Sequence, residues 1–141
     1  MQPSKILYTA KVTTTGGRIG EAVSDDGKLK LKLDKPKEMG GEGTGTNPEQ
    51  LFAAGYSACY LSALHLVAGK RKMDSEGASV MAEVGIGPAG QGFGLAVTLR
   101  VKVPKVSAED AKKLAEEAHQ VCPYSNATRN NIDVKIEVAA K

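Results

Sequence analysis

The distribution of apolar and polar residues predicts three short strands at the start of the chain. Residues 5–13 are rich in β-branched and apolar side chains, and two glycines at 16–17 mark a turn before a second run, IGEAV, at 19–23. The Asp-Gly pair at 26–27 is a strong hairpin signal. It is followed by LKLKL at 29–33, which alternates with the period of a strand that buries one face. We therefore expect an N-terminal meander of three strands.

A long apolar helix is predicted after a glycine-rich loop at 39–46. Asn47 or Thr46 is suited to the N-cap and Pro48 to the first helical position. Residues 50–69 contain no formal charge. Because the helix is apolar around its whole circumference, we expect it to be central in the fold. Its length also fits a membrane span, but its internal polar residues and many small residues favour a helix buried inside protein.

The second half of the chain predicts two strands, an amphipathic helix and a final strand. The strands are expected at 78–87 and 93–103, and the helix at 107–121, where Ser107 is the N-cap. Pro123 is expected to end or redirect that helix, and residues 132–138 alternate as a strand. The resulting order, βββ-α-ββ-α-β, is typical of an α+β fold.

Composition narrows the class of protein without identifying it. The chain has 141 residues and a mass of 14.7 kDa, which predicts one domain spanning 1–141. A net charge of +3 with no tryptophan argues against a nucleic-acid partner. The N-terminal residues have no apolar stretch of signal-peptide length, so we expect a cytoplasmic protein that is not inserted in a membrane.

The two cysteines are the candidate reactive residues. Cys59 lies in the uncharged helix, and Cys122 lies in the polar segment VCPYSNATRNN. Both could be inert packing residues, and a permanent disulfide is not expected in a reducing compartment. A zinc site with His65 and His119 is disfavoured, because Cys59 and His65 are about 120° apart around one helix. A peroxidatic thiol with a resolving partner is the functional alternative, and spacing alone leaves it open beside the inert one.

Four segments resemble the organic hydroperoxide resistance proteins, a branch of the Ohr/OsmC family of thiol peroxidases. They are GTNPEQLFAAGYSACY, which ends at Tyr60, VCPYSNATRNNI at 121–132, GGRIG at 16–20 and VGIGP at 84–88. The resemblance implies an intertwined α+β homodimer of the OsmC-like fold with active sites at the subunit interface. It also implies reduction of organic hydroperoxides to alcohols. No bound cofactor or metal is expected, and dihydrolipoamide or a lipoylated protein would be the external reductant.

By matching motifs, Cys59 would be the peroxidatic cysteine and Cys122 the resolving one. Arg18 would stabilise the thiolate and the peroxide. A carboxylate beside a thiolate raises the thiol pKa, so we expect Glu49 to pair with Arg18 in a bidentate manner and to orient it. A straight helix places Glu49 and Cys59 about 15 Å apart. The helix is therefore expected to break at Gly55, or a second subunit is expected to contribute to the site.

Phe52 and Tyr56 share one helical stripe with Cys59. Such a stripe is most often core packing, but here we expect part of it to form an apolar substrate wall that favours alkyl and lipid hydroperoxides. Tyr124 is interpreted as a packing residue. Two alternatives remain: an OsmC-type osmotically induced peroxidase with the same chemistry, and a non-enzymatic redox sensor.

Overall fold

The computed structural model describes residues 1–139 and has the predicted α+β class, with two three-stranded sheets and helices. Contacts divide the chain into two compact units, Met1–Leu51 and Phe52–Lys141, and the expectation of one domain over 1–141 stays a prediction. The elements are β1 (Val12–Thr15), β2 (Gly20–Ser24), β3 (Lys30–Leu33), a short 3-10 helix (Lys37–Met39), α1 (Pro48–Lys70), β4 (Ser79–Ala89), β5 (Gly92–Lys102), α2 (Ala108–Val121), α3 (Pro123–Thr128) and β6 (Val134–Val138).

The N-terminal unit contains the predicted meander. Strands β1, β2 and β3 follow one another as antiparallel neighbours. The turn from β1 to β2 depends on Gly16, which has a φ of +79°. A side chain there would place its Cβ only 2.2 Å from the carbonyl oxygen of Ile19, so only glycine fits. This turn carries Arg18.

The first strand is shorter than the sequence predicts and lies further along the chain. Residues 5–11 are not in a strand, and the side chains of Ile6, Leu7 and Tyr8 are 65%, 89% and 79% exposed. The pairing of β1 with β2 ends where Val12 faces Ser24, because the chain turns there towards β3. The apolar residues before Val12 therefore have no strand to pair with among residues 1–139.

The C-terminal unit is a three-stranded sheet with helices packed on its apolar residues. Strands β4 and β5 form a long antiparallel hairpin, and β6 pairs parallel to β5. A parallel pair requires a crossover connection, and α2 and α3 supply it. The core joins α1, β5 and α2, with Leu64, Leu99 and Leu114 fully buried.

Helix α1 begins as predicted but is buried on one face only. The backbone N–H of Gln50 donates to Asn47 Oδ1 at 2.8 Å, which confirms Asn47 as the N-cap. Tyr60 is fully buried on one side, whereas Leu66 on the other is 52% exposed. By length and composition α1 could also cross a membrane. The core helix of a soluble protein has the same properties.

The turn after α2 contains a helix that the sequence pattern did not predict. Ser107 caps α2 by accepting a hydrogen bond from the Asp110 backbone N–H, as expected. Pro123 does end α2, but it also opens α3, since proline is favoured at the first helical position. Cys122 is the single residue between the two helices.

Candidate active site

The structure brings the two cysteines of the C-terminal unit together. Cys59 is partly buried on α1, and Cys122 is fully buried between α2 and α3. Both are free thiols, Cys59 packs against the hydrophobic cluster that contains Cys122, and Cys122 is near enough to raise the pKa of the Cys59 thiol. A sulfenic acid formed on one sulfur would therefore have the other within reach.

The backbone of Cys122 is held on both sides, which fixes the direction of its side chain. Its N–H donates to the Ala118 carbonyl at 2.9 Å, closing α2, and its carbonyl accepts from the Asn126 N–H at 2.9 Å, opening α3. Between these two bonds Cys122 adopts extended backbone angles. The sharp change of direction is what brings a residue at the end of one helix onto the face of another.

The surroundings of Cys59 favour its neutral form. Burial raises the pKa of the Cys59 thiol most, and the nearby Cys122 raises it further, whereas the backbone N–H of Tyr124 lowers it. Within this unit the thiol is therefore a weaker acid than a free cysteine. A reactive thiolate would need an additional positive charge.

Arg18 and Glu49 form the bidentate pair that the sequence predicts, within the N-terminal unit. The two guanidinium nitrogens donate to the two carboxylate oxygens at 2.9 and 2.7 Å. Hydrogen bonding to Arg18 lowers the pKa of Glu49, and the same bond raises the pKa of Arg18. The contribution of this pair to the stability of the fold is thus fully present at pH values above the ordinary pKa of a glutamate. It is lost as the pH falls through the lowered pKa of Glu49. Its role in orienting Arg18 towards a thiolate stays a prediction.

The expected break in the helix at Gly55 is wrong. Helix α1 is continuous from Pro48 to Lys70, so Glu49 and Cys59 are ten residues apart on one helix, about 15 Å along its axis. Gly55 has another structural role: a Cβ on this residue would lie 2.9 Å from the hydroxyl of Tyr124. The remaining explanation, a contribution from a second subunit, stays a prediction.

Phe52 and Tyr56, the two predicted substrate-binding residues, have different surroundings. Phe52 lines an apolar cavity of about 770 Å³ together with Phe93 and Tyr124. Tyr56 is fully buried and is not among the residues that line this cavity. Its ring packs against those of Phe52 and Tyr124, with centroids 6.0 and 5.7 Å apart. Tyr56 therefore supports the cavity wall from behind, and its expected role in substrate binding stays a prediction.

Sequence reasoning missed a buried hydrogen-bond network that ties α3 to its neighbours. The Tyr56 hydroxyl is 2.8 Å from Ser125 Oγ and 3.1 Å from Thr128 Oγ1. Ser125 Oγ is also 2.8 Å from His119 Nδ1. Burial lowers the pKa of His119, and the neighbouring Arg129 lowers it further. The only signal in the sequence was the run of small polar residues after Cys122, which resembles an ordinary loop.

The residues weighed for a zinc site are engaged elsewhere. His119 is bonded to Ser125, and His65 Nδ1 is 2.7 Å from Ser75 Oγ. Across residues 1–139, no three side chains of the His, Cys, Asp and Glu types are close enough together to hold a metal ion.

Comparison with known proteins identifies the family. The sequence model for OsmC-like proteins matches residues 41–137. The organic hydroperoxide resistance protein of Xanthomonas axonopodis pv. citri is 53% identical over 97% of this chain and 98% of its own.

Solved structures agree with this match. The crystal structure of an organic hydroperoxide resistance protein from Elizabethkingia anophelis has a TM-score of 0.92 and 51% identity, covering 97% of this chain and 99% of the other. The organic hydroperoxide resistance protein OhrB of Bacillus subtilis has a TM-score of 0.87 and 43% identity, covering 95% of this chain and 100% of the other. The chain belongs to the OsmC-like family, on the branch of the organic hydroperoxide resistance proteins.

Proposed function

We propose that this protein is a thiol-dependent peroxidase that reduces organic hydroperoxides to alcohols. The observation that carries the proposal is the proximity of two free thiols, since Cys59 packs against the cluster that contains Cys122 and Cys122 raises its pKa. A peroxidase that uses two cysteines needs one thiol to attack the peroxide and a second thiol close enough to trap the product. The names of the relatives, which refer to resistance against organic hydroperoxides, support the same reaction class.

In the first step the Cys59 thiolate attacks the terminal oxygen of the hydroperoxide. The O–O bond breaks, the sulfur gains the hydroxyl as a sulfenic acid, and the alkoxide takes a proton and leaves as the alcohol. In the second step the Cys122 sulfur attacks the sulfenic sulfur, an S–S bond forms, and the hydroxyl leaves as water. A dihydrolipoyl dithiol then reduces the disulfide and is itself oxidised to the cyclic disulfide.

The proposed role of Arg18 follows from the raised pKa of Cys59. Relative to a free thiol, whose pKa near 8.5 already leaves several per cent ionised at neutral pH, full ionisation raises the thiolate concentration only about thirtyfold. A guanidinium about 4 Å from the sulfur would contribute roughly 4 kcal/mol at an effective dielectric constant of 20. Much of that energy would serve the charge on the departing alkoxide. Glu49 would orient the guanidinium through the observed bidentate pair.

The apolar cavity supports organic hydroperoxides as the substrate class. Its lining is mostly aromatic and aliphatic, with Phe52 from α1 and Tyr124 from α3. Pro123 and Tyr124 are also the residues that follow Cys122, so the cavity adjoins the segment that carries the proposed resolving thiol. Burying alkyl carbon contributes about 0.8 kcal/mol per methylene, an energy that hydrogen peroxide does not gain.

The proposal includes three further expectations. The protein would act as a homodimer, with sites completed at the subunit interface. Its reductant would be a lipoylated protein, and no resident cofactor would take part. The cytoplasm is the proposed compartment.

The test is steady-state consumption of cumene hydroperoxide and of hydrogen peroxide, with dihydrolipoamide or glutathione as reductant. We expect fast turnover only with the organic peroxide and dihydrolipoamide. Cys59→Ser should abolish consumption, and Cys122→Ser should consume about one equivalent and stop. Ser62→Ala, an exposed change on the same helix, is the matched control.

Retained activity in Cys59→Ser would refute the assignment of the peroxidatic residue, and normal cycling in Cys122→Ser would refute the resolving role. If the wild-type protein turns over once with every reductant, a redox sensor becomes the better explanation. If it does not react with peroxide at all, the proposed activity is wrong.

A further inference from the structure

Gly55 and Tyr124 make a close contact beside the two cysteines. Gly55 is on α1, one helical turn before Cys59, and the Tyr124 ring lies directly against it. A Cβ added to Gly55 would be 2.9 Å from the Tyr124 hydroxyl and 3.3 Å from two carbons of its ring. A Cβ contact of 2.9 Å essentially never occurs, so the Tyr124 ring occupies space that a side chain on residue 55 would need.

The same tyrosine reaches the proposed peroxidatic residue with its backbone. The Tyr124 N–H interacts with the Cys59 sulfur, while the ring packs between Phe52 and Tyr56, with centroids 6.1 and 5.7 Å away. Cys122 is two residues earlier in the same turn. The position of the Tyr124 ring on α1 is therefore coupled to the position of the Cys122 sulfur at Cys59.

We propose that Gly55 and Tyr124 are positioning residues for disulfide formation: the Tyr124 ring, packed on the bare backbone at Gly55, holds the Cys122–Tyr124 turn at Cys59. This inference rests on the proposed function and goes beyond it. The contact decides how fast Cys122 traps the sulfenic acid. In that step the S–S bond forms, the S–O bond breaks, and the hydroxyl leaves as water.

Positioning matters because a second reaction competes for the sulfenic acid. A second hydroperoxide molecule can oxidise it to the sulfinic acid, releasing another molecule of alcohol, and a dithiol does not reverse that product. A slower attack by Cys122 therefore increases the fraction of Cys59 that is lost as sulfinic acid at each turnover. The partition between disulfide and sulfinic acid reports the position of Cys122 directly.

Gly55→Ala separates positioning from stability. Alanine is a better helix former than glycine, so a merely structural effect on α1 predicts an equally or more stable protein with unchanged chemistry. The positioning role predicts that the ring is displaced and the turn shifts with it. A displacement of a few tenths of an ångström to one ångström slows an intramolecular attack by about tenfold or more.

The experiment mixes reduced protein with one equivalent of cumene hydroperoxide and follows sulfenic acid, disulfide and sulfinic acid by quenched mass spectrometry. For Gly55→Ala we expect disulfide formation about tenfold slower than in the wild type, and a matching rise in sulfinic acid when the peroxide concentration is increased. Gly69→Ala is the matched control. It is on the same helix with nothing within 4 Å of the added Cβ. Its ratio of disulfide to sulfinic acid should equal that of the wild type.

A rescue variant tests whether the contact itself is responsible. Tyr124→Phe removes the hydroxyl, the atom nearest to the added Cβ, and keeps the ring and the backbone N–H. In the double variant that combines Tyr124→Phe with Gly55→Ala, the rate of disulfide formation should recover. On a logarithmic scale, we expect at least half of the loss caused by Gly55→Ala to be regained. Tyr124→Phe alone is the reference for the double variant, and its own effect on the rate of disulfide formation is subtracted before the recovery is calculated.

A second oxidant distinguishes failure of this inference from failure of the proposed function. Diamide adds to one thiol, and the second thiol displaces the reduced hydrazine as the disulfide forms, so no peroxidase activity is required. If the wild type forms the disulfide with diamide but does not react with peroxide, the proposed function fails and the diamide rates still test the contact. Equal rates of disulfide formation in Gly55→Ala and Gly69→Ala, or no recovery in the double variant, would overturn the positioning role.

Discussion

The groups around Cys59 shift the pKa of its thiol in opposite directions. Burial and the neighbouring Cys122 raise the pKa of its thiol, and the Tyr124 backbone N–H lowers it. The surroundings of Cys59 in the C-terminal unit thus favour the protonated thiol. The proposed Arg18 contribution would act against this preference and would allow the thiolate to form where a peroxide also binds.

The first residue-scale prediction concerns the ionisation of Cys59. Cys122→Ala removes a group that raises the Cys59 pKa, so the pKa should fall and alkylation should become fast at lower pH. The measurement is the rate of iodoacetamide labelling at Cys59 against pH, located by peptide mass. Cys59→Ala gives the background at Cys122. A profile that stays in place or moves to higher pH would show that Cys122 does not disfavour the thiolate.

The second residue-scale prediction concerns Arg18. Arg18→Lys keeps the positive charge but loses the two parallel bonds to Glu49. We expect kcat/KM for cumene hydroperoxide to fall about tenfold to a hundredfold with the fold intact, measured by steady-state peroxide consumption and circular dichroism. Arg100→Lys is the matched control, since Arg100 also pairs with carboxylates, those of Glu83 and Glu137 on the sheet surface. A near-normal rate in Arg18→Lys would refute the bidentate requirement.

At the scale of elements, local signals in the sequence were sufficient wherever one segment decides its own structure. The Asn47 cap of α1, the Ser107 cap of α2 and the alternating strand at 29–33 were predicted and are present. Helix α3 was missed because six residues are too few to show a helical period. Its start, however, is explained by Pro123, a proline at the first helical position.

Contacts between elements were less accessible from the sequence. The helical stripe correctly places Phe52 and Tyr56 on one face of α1, but periodicity does not show which element covers that face. Because α3 packs there through Ser125 and Thr128, Tyr56 is buried behind the cavity. The approach of Cys122 to Cys59 depends on the same crossover, so the sequence supported it only through the family resemblance.

At the scale of the whole molecule, the exposed apolar residues before β1 point to association. Ile6, Leu7 and Tyr8 are largely exposed in the single chain, although each would gain free energy by burial. The family resemblance implies an intertwined homodimer, and this exposed apolar segment has the composition that the proposed subunit interface requires.

The whole-molecule prediction is that Leu7→Asp weakens the homodimer. A two-fold interface carries the substitution twice, once on each copy. Each buried leucine contributes about 1.5 kcal/mol or more, so we expect the dissociation constant of the dimer to rise about a hundredfold. Sedimentation velocity over a dilution series measures it. Lys5→Asp, a polar change two residues earlier, is the control. A monomeric wild type, or equal dissociation constants for both variants, would contradict the interface.

The parallel pairing of β6 with β5 also has a consequence for how the protein is made. Strand β6 follows α2 and α3 in the chain, so the C-terminal sheet is complete only after both helices have been synthesised. Helix α1 emerges much earlier, and until the crossover folds back its Cys59 has neither Cys122 nor the Tyr124 amide beside it. The nascent protein therefore passes through a period in which the Cys59 thiol lacks the cysteine proposed to resolve it. During synthesis under oxidant stress, Cys59 would be oxidised irreversibly before Cys122 reaches it. Newly made copies would therefore be more sensitive to oxidation than folded ones.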